Sequence, residues 1–288
     1  MRSTAPKIAA VVVLYHPEAE PLSSLVAALM EQVGLVYLVD NSVPPVARLG
    51  ATLQQQGNIR YLPNHANQGI ATALNIAARR ALQDGCELLL TMDQDSLPAP
   101  DMVARMLTCR ERMAGQCLGM LAPFQITPAQ QPTSHLPEFQ TVMTPMTSGC
   151  LLELAAYQAV GPFRDDFFID FVDNEYCLRL QRAGFAVIRA NQALLRHQVG
   201  DLRTYGPFVA TNHGPLRRYY KTRNRLYVFT EYLRSFPAHC LFDLVRLVKE
   251  IGSILLFEQQ KGSKFRMMLL GVLHFLQGRR GSFEEASR

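Results

Sequence analysis

The stretch LLLTMDQDS (88–96) runs from apolar residues into two aspartates one residue apart, Asp93 and Asp95. In extended backbone, residues i and i+2 project to the same side of a strand, so the two carboxylates could share one hard cation. Mg2+ and Mn2+ take oxygen ligands and need only one or two carboxylates when substrate phosphates complete the shell. The same string fits two other uses. Asp95 or Ser96 could cap a helix, or Asp93 could be a phosphatase nucleophile with Asp95 shuttling the proton.

Four further groups carry potential chemistry. Asp40, in VDNS, ends a second apolar run and could accept from a ribose hydroxyl or a base N–H, or form a turn with Asn41. Asp170, Asp173 and Glu175 lie in the aromatic-rich FFIDFVDNEYCLR, where burial could raise a carboxyl toward the range of a general base. On a helix Asp170 and Asp173 share a face and Glu175 points elsewhere; all three would also suit a helix amino terminus by charge–dipole attraction. His197, in LLRHQVG, becomes a metal ligand only if it comes near Asp95. In RRYYKTRNRLYVF (217–229), Arg217, Arg218, Lys221, Arg223 and Arg225 stand among tyrosines. Guanidinium forks suit diphosphate oxygens, and the same run fits a solvated basic helix face.

Alternating elements must position these groups. KIAAVVVLY (7–15) and GLVYLVDNS (34–42) are apolar throughout, as strands buried on both faces are, and NIRYLPN (58–64) suits a short third strand. Between them, 21–32 has apolar positions at helical spacing, and 67–85 is a helix with Asn67 as cap and Gly85 just past its end. Strand–helix alternation predicts a mainly parallel sheet covered on both sides, and ligands collect beyond the carboxyl ends of such strands. Asp40 and the Asp93/Asp95 pair both lie at those ends. Residues 122–147, rich in Pro, Thr and Gln, read as a long loop or irregular hairpin; a short strand and a helix follow, then a helix starting near Asp170 or Asp173 and stopping at Gly184, and a strand at 185–190.

Composition bounds the class. With 288 residues, 48% hydrophobic content and 18% charge, the chain is a packed globular protein. Residues 1–200 carry a net charge of −3 and residues 201–288 a net of +8, which points the carboxyl-terminal part at phosphates of a nucleotide or lipid headgroup. No nucleic-acid-binding module is recognisable, so nucleic acid is not an expected partner. No apolar run approaches the roughly 18–20 residues that span a bilayer, and the amino-terminal stretch reads as a strand rather than a signal peptide. The six cysteines form no C-x-x-C pair, which fits reduced thiols in a cytoplasmic protein. In the basic segment Leu241, Leu244, Val245, Val248, Ile251 and Leu255 form one apolar face, followed by Phe265, Leu269, Val272, Phe275 and Leu276, with Arg246, Lys249, Lys261, Lys264, Arg266, Arg279 and Arg280 around them. Such a segment could bind an anionic membrane surface, pack on the core, or join a homo-oligomer.

The ordered set VVVLYHP, VDNS, NQGIATALNIA, TMDQDS, SGCLL, GPFRDDFFIDFVDNEYCLRLQRAGF, HQVGD and RRYYKTRN, spread over residues 8–230, resembles the family 2 glycosyltransferases and, within them, the bacterial rhamnosyltransferase branch. Each motif is loose; their order and spacing are specific. The resemblance implies an α/β, GT-A type, Rossmann-like fold. Its glycosyltransferase domain would be residues 1–215, with a nucleotide-binding part at about 1–121 and an acceptor-side part at about 122–215. A basic helical segment would follow at 216–288.

The resemblance also implies roles. Asp40, Asn67 and Asp93 would contact the nucleotide. Asp93, Asp95 and His197 would hold Mg2+ or Mn2+ against the donor diphosphate, and Asp173 would be the catalytic base with Asp170 and Glu175 nearby. Arg218, Tyr219 and Arg223 would face the diphosphate or the acceptor. The reaction would be inverting and, because the Q-x-x-R-W motif of processive relatives needs a tryptophan this chain lacks, would add a single sugar. L-rhamnose from dTDP-rhamnose is the expected donor group. A saccharide acceptor linked to a lipid diphosphate, in surface polysaccharide synthesis, is expected, at the cytoplasmic face of the inner membrane. The rival readings are a haloacid-dehalogenase-type phosphatase using Asp93 and Asp95, and a non-catalytic nucleotide-sugar-binding protein. The first normally carries its D-x-D on the first strand rather than the fourth; the second should have lost some of Asp93, Asp95, Asp173 and His197.

Overall fold

In a computed structural model describing residues 6–127, 131–133, 135–197, 203–205, 208–210 and 212–286, the side chains of His197, Glu285 and the two short strands at 203–205 and 208–210 excepted, IAAVVVL forms β1 (Ile8–Leu14). The chain then alternates through α1 (Ala19–Met30), β2 (Leu35–Asp40), α2 (Ala47–Gln54), β3 (Ile59–Pro63), α3 (Gly69–Gln83) and β4 (Leu88–Asp93). A short β5 (Ser96–Pro98) and α4 (Met102–Arg112) follow, then β6 (Leu118–Ile126), β7 (Phe139–Thr141), β8 (Cys150–Glu153), α5 (Leu154–Val160), α6 (Val172–Arg182) and β9 (Ala186–His197). The remainder comprises β10 (Arg203–Tyr205), β11 (Phe208–Ala210), α7 (Pro215–Tyr232), α8 (Pro237–Phe257), α9 (Lys261–Leu276) and α10 (Phe283–Ala286).

Two compact units result: Met1–Phe163 with Tyr176–Gln198, and Arg164–Glu175 with Val199–Arg288. The division differs from the sequence-based boundary at 215, because residues 164–175 are tied to the carboxyl-terminal helices by hydrogen bonds described below.

The first unit is built on one nine-stranded sheet of order β3-β2-β1-β4-β8-β6-β9-β5, with β7 also pairing β9. The β3-β2-β1-β4 half is parallel, as alternation predicts, whereas β8 runs antiparallel to both β4 and β6 and makes the other half mixed. α1 buries Leu22, Leu25, Val26 and Leu29, one stripe at helical spacing, and α3 buries Ala71, Ala73, Leu74, Ala77, Ala78 and Ala81, whose small side chains let the helix lie close on the sheet. The expected loop from 122 is shorter than composition suggests. β6 continues to Ile126, paired with β9 across an irregularity at Pro123/Phe124, where proline has no N–H to donate. β9 likewise runs past 190, because its distal half pairs with β5.

In the second unit α7 is the hub, and its Arg218, Arg223 and Arg225 point inward. Arg218 is 1% exposed and pairs with Glu250 of α8 and with Glu258, at 2.7 Å; Glu258 also takes Lys264 of α9 at 2.8 Å. Arg225 bonds Asp243 at 2.9 Å and Glu250 at 3.0 Å, and Lys221 reaches Glu250 at 3.0 Å. Gly271 lets α9 approach α7: a Cβ there would meet the Tyr219 carbonyl at 2.8 Å. Burial pushes the Glu250 carboxyl up, but Lys221, Arg225 and Arg218 outweigh it and hold its pKa at about 2. Its charge therefore stabilises the folded unit above the ordinary value of 4.5, and that contribution is lost as pH falls from there through about 2. Denaturation midpoints across that range should fall by an equivalent of about 3 kcal/mol, with a shallower acid branch in Glu250→Gln.

Candidate functional site

β4 ends at Asp93, Gln94 and Asp95 form a turn, and Ser96 begins β5. The two carboxylates are therefore joined through a turn rather than through continuous extended backbone. The helix-cap use is excluded for Asp95 and Ser96, because the next helix starts only at Met102, behind Asp101. Neutral polar groups hold the turn. The Gln94 amide accepts from Tyr15 N at 2.8 Å and donates to Tyr15 O at 3.1 Å, clamping the turn to the end of β1. Buried Ser148 accepts from Asp93 N at 3.1 Å and meets the Ser96 hydroxyl at 2.8 Å. Behind it, Gly149 (φ 80°) has no room for a side chain, since a Cβ would lie 2.6 Å from Pro123 and 2.7 Å from Leu195. The SGC motif thus backs the aspartate turn. Asp93 is half-buried and Asp95 exposed.

Register fixes the neighbourhood. β1 pairs Leu14 with Asp40 on one side and Val13 with Asp93 on the other, so the two aspartates flank the end of β1 about 10 Å apart. On the far side of the turn, Ser96 pairs with His197, which puts the His197 backbone beside the aspartate turn; its side chain lies outside the described part.

Asp40 itself is fully buried. Its carboxylate accepts from Ser42 N and Val46 N, each at 2.8 Å, and from the Tyr61 hydroxyl. Burial pushes the carboxyl up, but these bonds outweigh it and hold it below the usual carboxylate range. Asp40 is therefore engaged in shaping the loop after β2, the turn-forming use the sequence left open. Tyr61 is pressed into place by α2, where a Cβ on Gly50 would collide with its ring at 2.5 Å. Asn41 continues the network, donating to Gly69 O at 3.0 Å and accepting from Asn64 at 2.8 Å. Asn67 does not cap by being the first flanking residue of α3; that is Gln68, and the exposed Asn67 accepts from Gly69 N at 3.1 Å.

In the second unit Asp173 occupies the first turn of α6, where its carboxylate accepts from Asn174 N at 2.8 Å. Just before it, Phe168, Asp170 and Phe171 all adopt left-handed backbone, with φ of 63°, 62° and 64°. For residues with a Cβ this costs roughly 1–2 kcal/mol each, so other contacts must impose it. α7 supplies them: the two N–H groups of the buried Asn224 amide are shared among Phe167 O, Ile169 O and Asp170 O, each 2.9 Å from its nitrogen, and Arg223 reaches Asp166 O at 3.3 Å and Gly281 O at 2.9 Å. Arg217 bonds both Asp170 oxygens at 3.1–3.2 Å. Glu175 is buried and accepts from Tyr232 at 2.8 Å, which makes it a packing acid.

The expectation that Arg218, Tyr219 and Arg223 face a diphosphate or acceptor meets a different placement. Arg218 and Arg223 are 1% and 0% exposed, and Tyr219 is buried against His274 at 2.8 Å. A buried guanidinium must be paired, and α7 pairs these with carboxylates and carbonyls of its own unit. Sequence reasoning missed Gln94, Ser148 and Asn224, neutral residues whose signal was only their position within the TMDQDS, SGC and RRYYKTRN stretches.

Among the described residues, no three His, Cys, Asp or Glu side chains gather as a metal site. The donor set at the aspartate turn nonetheless fits a hard divalent ion, because two oxygen donors suffice when phosphate oxygens supply the rest. Replacing Asn224 by Ala removes the brace on residues 167–170: amide hydrogen exchange there should quicken by about tenfold or more, while the first-unit sheet stays protected.

Residues 10–136 match the model of the Glycosyl transferase family 2. The chain is 28% identical over 302 residues to dTDP-rhamnosyl transferase RfbF of Shigella flexneri, covering 95% of this chain and 96% of that one. S. aureus TarS 1–349 superposes with a TM-score of 0.60 at 13% identity, over 94% of this chain and 82% of that one, and its complex with UDP-GlcNAc likewise with 0.60 at 14%, over 94% and 81%. GalNAc-T7 with UDP, GalNAc and Mn2+ gives 0.56 at 11%, over 68% of this chain and 44% of that one. These structural likenesses concern the fold, which is the GT-A fold. A sheet whose parallel half ends in the aspartate turn, the match of residues 10–136 to the Glycosyl transferase family 2 and a relative aligned along nearly the whole chain together mark this protein as a glycosyltransferase similar to that family.

Proposed function

We propose that the chain transfers a single L-rhamnosyl unit from dTDP-rhamnose to a saccharide acceptor carried on a lipid diphosphate, with inversion at the anomeric carbon, in the assembly of surface polysaccharide. One observation carries the reading: the Asp93–Gln94–Asp95 turn lies at the carboxyl end of a central strand in a chain aligned along 95% of its length with a dTDP-rhamnosyl transferase. The solved relatives in complex with UDP-GlcNAc, and with UDP, GalNAc and Mn2+, support a nucleotide-sugar donor and a divalent ion.

In this reading Asp93 and Asp95, with His197, hold Mg2+ or Mn2+. The ion when bound neutralises charge on the donor diphosphate. Asn67 and Asp93 contact the nucleotide directly, while Asp40 acts through the 41–46 loop that it shapes. Asp173 takes the proton from the acceptor hydroxyl as its oxygen bonds to the anomeric carbon; the bond from that carbon to the diphosphate oxygen breaks, and thymidine diphosphate departs with the electron pair. Asp170, oriented by Arg217, and Glu175, held by Tyr232, position the segment that carries Asp173.

Melting with thymidine, uridine and guanosine diphosphates, each with Mn2+ and with chelator, tests the donor site. A nucleotide at about 100 times its dissociation constant stabilises the fold by about 2.7 kcal/mol; thymidine diphosphate should give the largest shift, dependent on metal and lost in Asp95→Ala. Equal response to all three nucleotides, or none to any, would overturn the donor assignment. Asp173→Asn should retain the nucleotide-induced shift while turnover falls by about 100-fold or more; unchanged turnover would remove Asp173 as the base.

A further inference from the structure

α8 is amphipathic in the reverse sense. Its acids point inward, Asp243 to Arg225 and Glu250 to Arg218, Lys221 and Arg225, and of its 21 residues only Cys240, Ser253 and Ile254 are buried. Leu241, Val245, Val248 and Leu255, spaced three, four or seven apart, form a stripe on the outside, with Leu256 beside it; Val248 is 69% exposed. α9 repeats the arrangement, with Gly271 and His274 buried toward α7 and Leu269, Leu273 and Leu276 outward, Leu269 and Leu276 at 70% and 73% exposure. Single exposed apolar residues are ordinary, but a contiguous stripe of them marks a surface built to be covered.

The charges beside the stripes identify what covers them. From 233 to 280 the acids are Asp243, Glu250 and Glu258, and all three are held in internal ion pairs. Arg234, Arg246, Lys249, Lys261 and Arg266 are exposed, and the Arg246 guanidinium lies 4.7 Å over the exposed Phe242 ring. The outward surface is thus apolar with cations and without a countercharge of its own. A second copy in two-fold contact would set these cations against their equivalents. A bilayer with anionic headgroups takes both features together, the leucines below the headgroups and the lysines and arginines among them. No described helix is long and apolar enough to cross a membrane, which leaves these helices lying along one.

We propose that the outward faces of α8 and α9 dock this enzyme on an anionic lipid surface. The surface stands on its own, whichever sugar is transferred. The test is flotation of the full chain with vesicles of phosphatidylglycerol and phosphatidylethanolamine, against vesicles of phosphatidylcholine alone, at low and high salt. Recovery with the anionic vesicles should exceed that with phosphatidylcholine by about tenfold and fall with salt. The double variant Val248→Asp/Leu269→Asp, at two exposed positions, should lose that recovery while keeping the nucleotide-induced melting shift of the wild type. No enrichment on anionic vesicles, or equal enrichment of the double variant, would overturn the proposal. So would a wild-type dimer, seen by light scattering, that the double variant dissolves without any lipid binding in either form. Nucleotide binding is read separately, so failure of the donor assignment and failure of lipid docking are distinguishable.

Discussion

Parallel strands buried on both faces have no place along their length for a charged side chain. β1, β2 and β4 are apolar almost throughout, and their carboxylates stand at the last residues, Asp40 and Asp93. The cost of desolvating a charge drives it to a strand end, where backbone groups no longer committed to the ladder can bond it or water can reach it. The two ends have different outcomes for that reason. Asp40 is enclosed by its own loop and turned to shaping it, while the chain after Asp93 reverses at once into β5 and leaves Asp95 exposed.

What keeps that reversal in one geometry is neutral. Gln94 satisfies both backbone groups of Tyr15, and Ser148 satisfies Asp93 N, so neutral side chains meet the backbone on both sides of the turn. The same division of labour recurs in the second unit, where Asn224 takes three carbonyls of a left-handed segment that would otherwise relax, and Asp173 follows on the helix that segment starts. Amide side chains suit this work because they donate and accept without carrying a charge that burial would penalise.

α7 turns a basic sequence into a buried hub. Its arginines draw the acids of α8 inward, and on a helix an acid drawn inward sends its apolar neighbours outward. The exposed stripe is thus the geometric complement of the internal ion pairs. Replacing those pairs with apolar contacts would have allowed the helix to bury its leucines; the pairs oblige it to present them.

Periodicity and composition alone determined the alternating strands and helices, the buried parallel half of the sheet, the strand ends at Asp40 and Asp93, and the basic helical segment after 215, because each depends on local spacing of apolar residues or on local composition. They misjudged β6 beyond Ala122 and β9 beyond Ala190, since pairing with distant strands overrode Pro123 and the polar residues around it. Which side of an amphipathic helix faces inward is likewise not a local property. RRYYKTRN reads the same whether its arginines meet a phosphate or a glutamate, and the apolar face of α8 reads the same whether it packs on a core or looks out. Only tertiary structure decided both, because the partner of a charge is set by what the fold brings beside it: Glu250, Glu258 and Asp243 for the arginines and lysine of α7, while Leu241, Val248 and Leu256 of α8 stay more than half exposed.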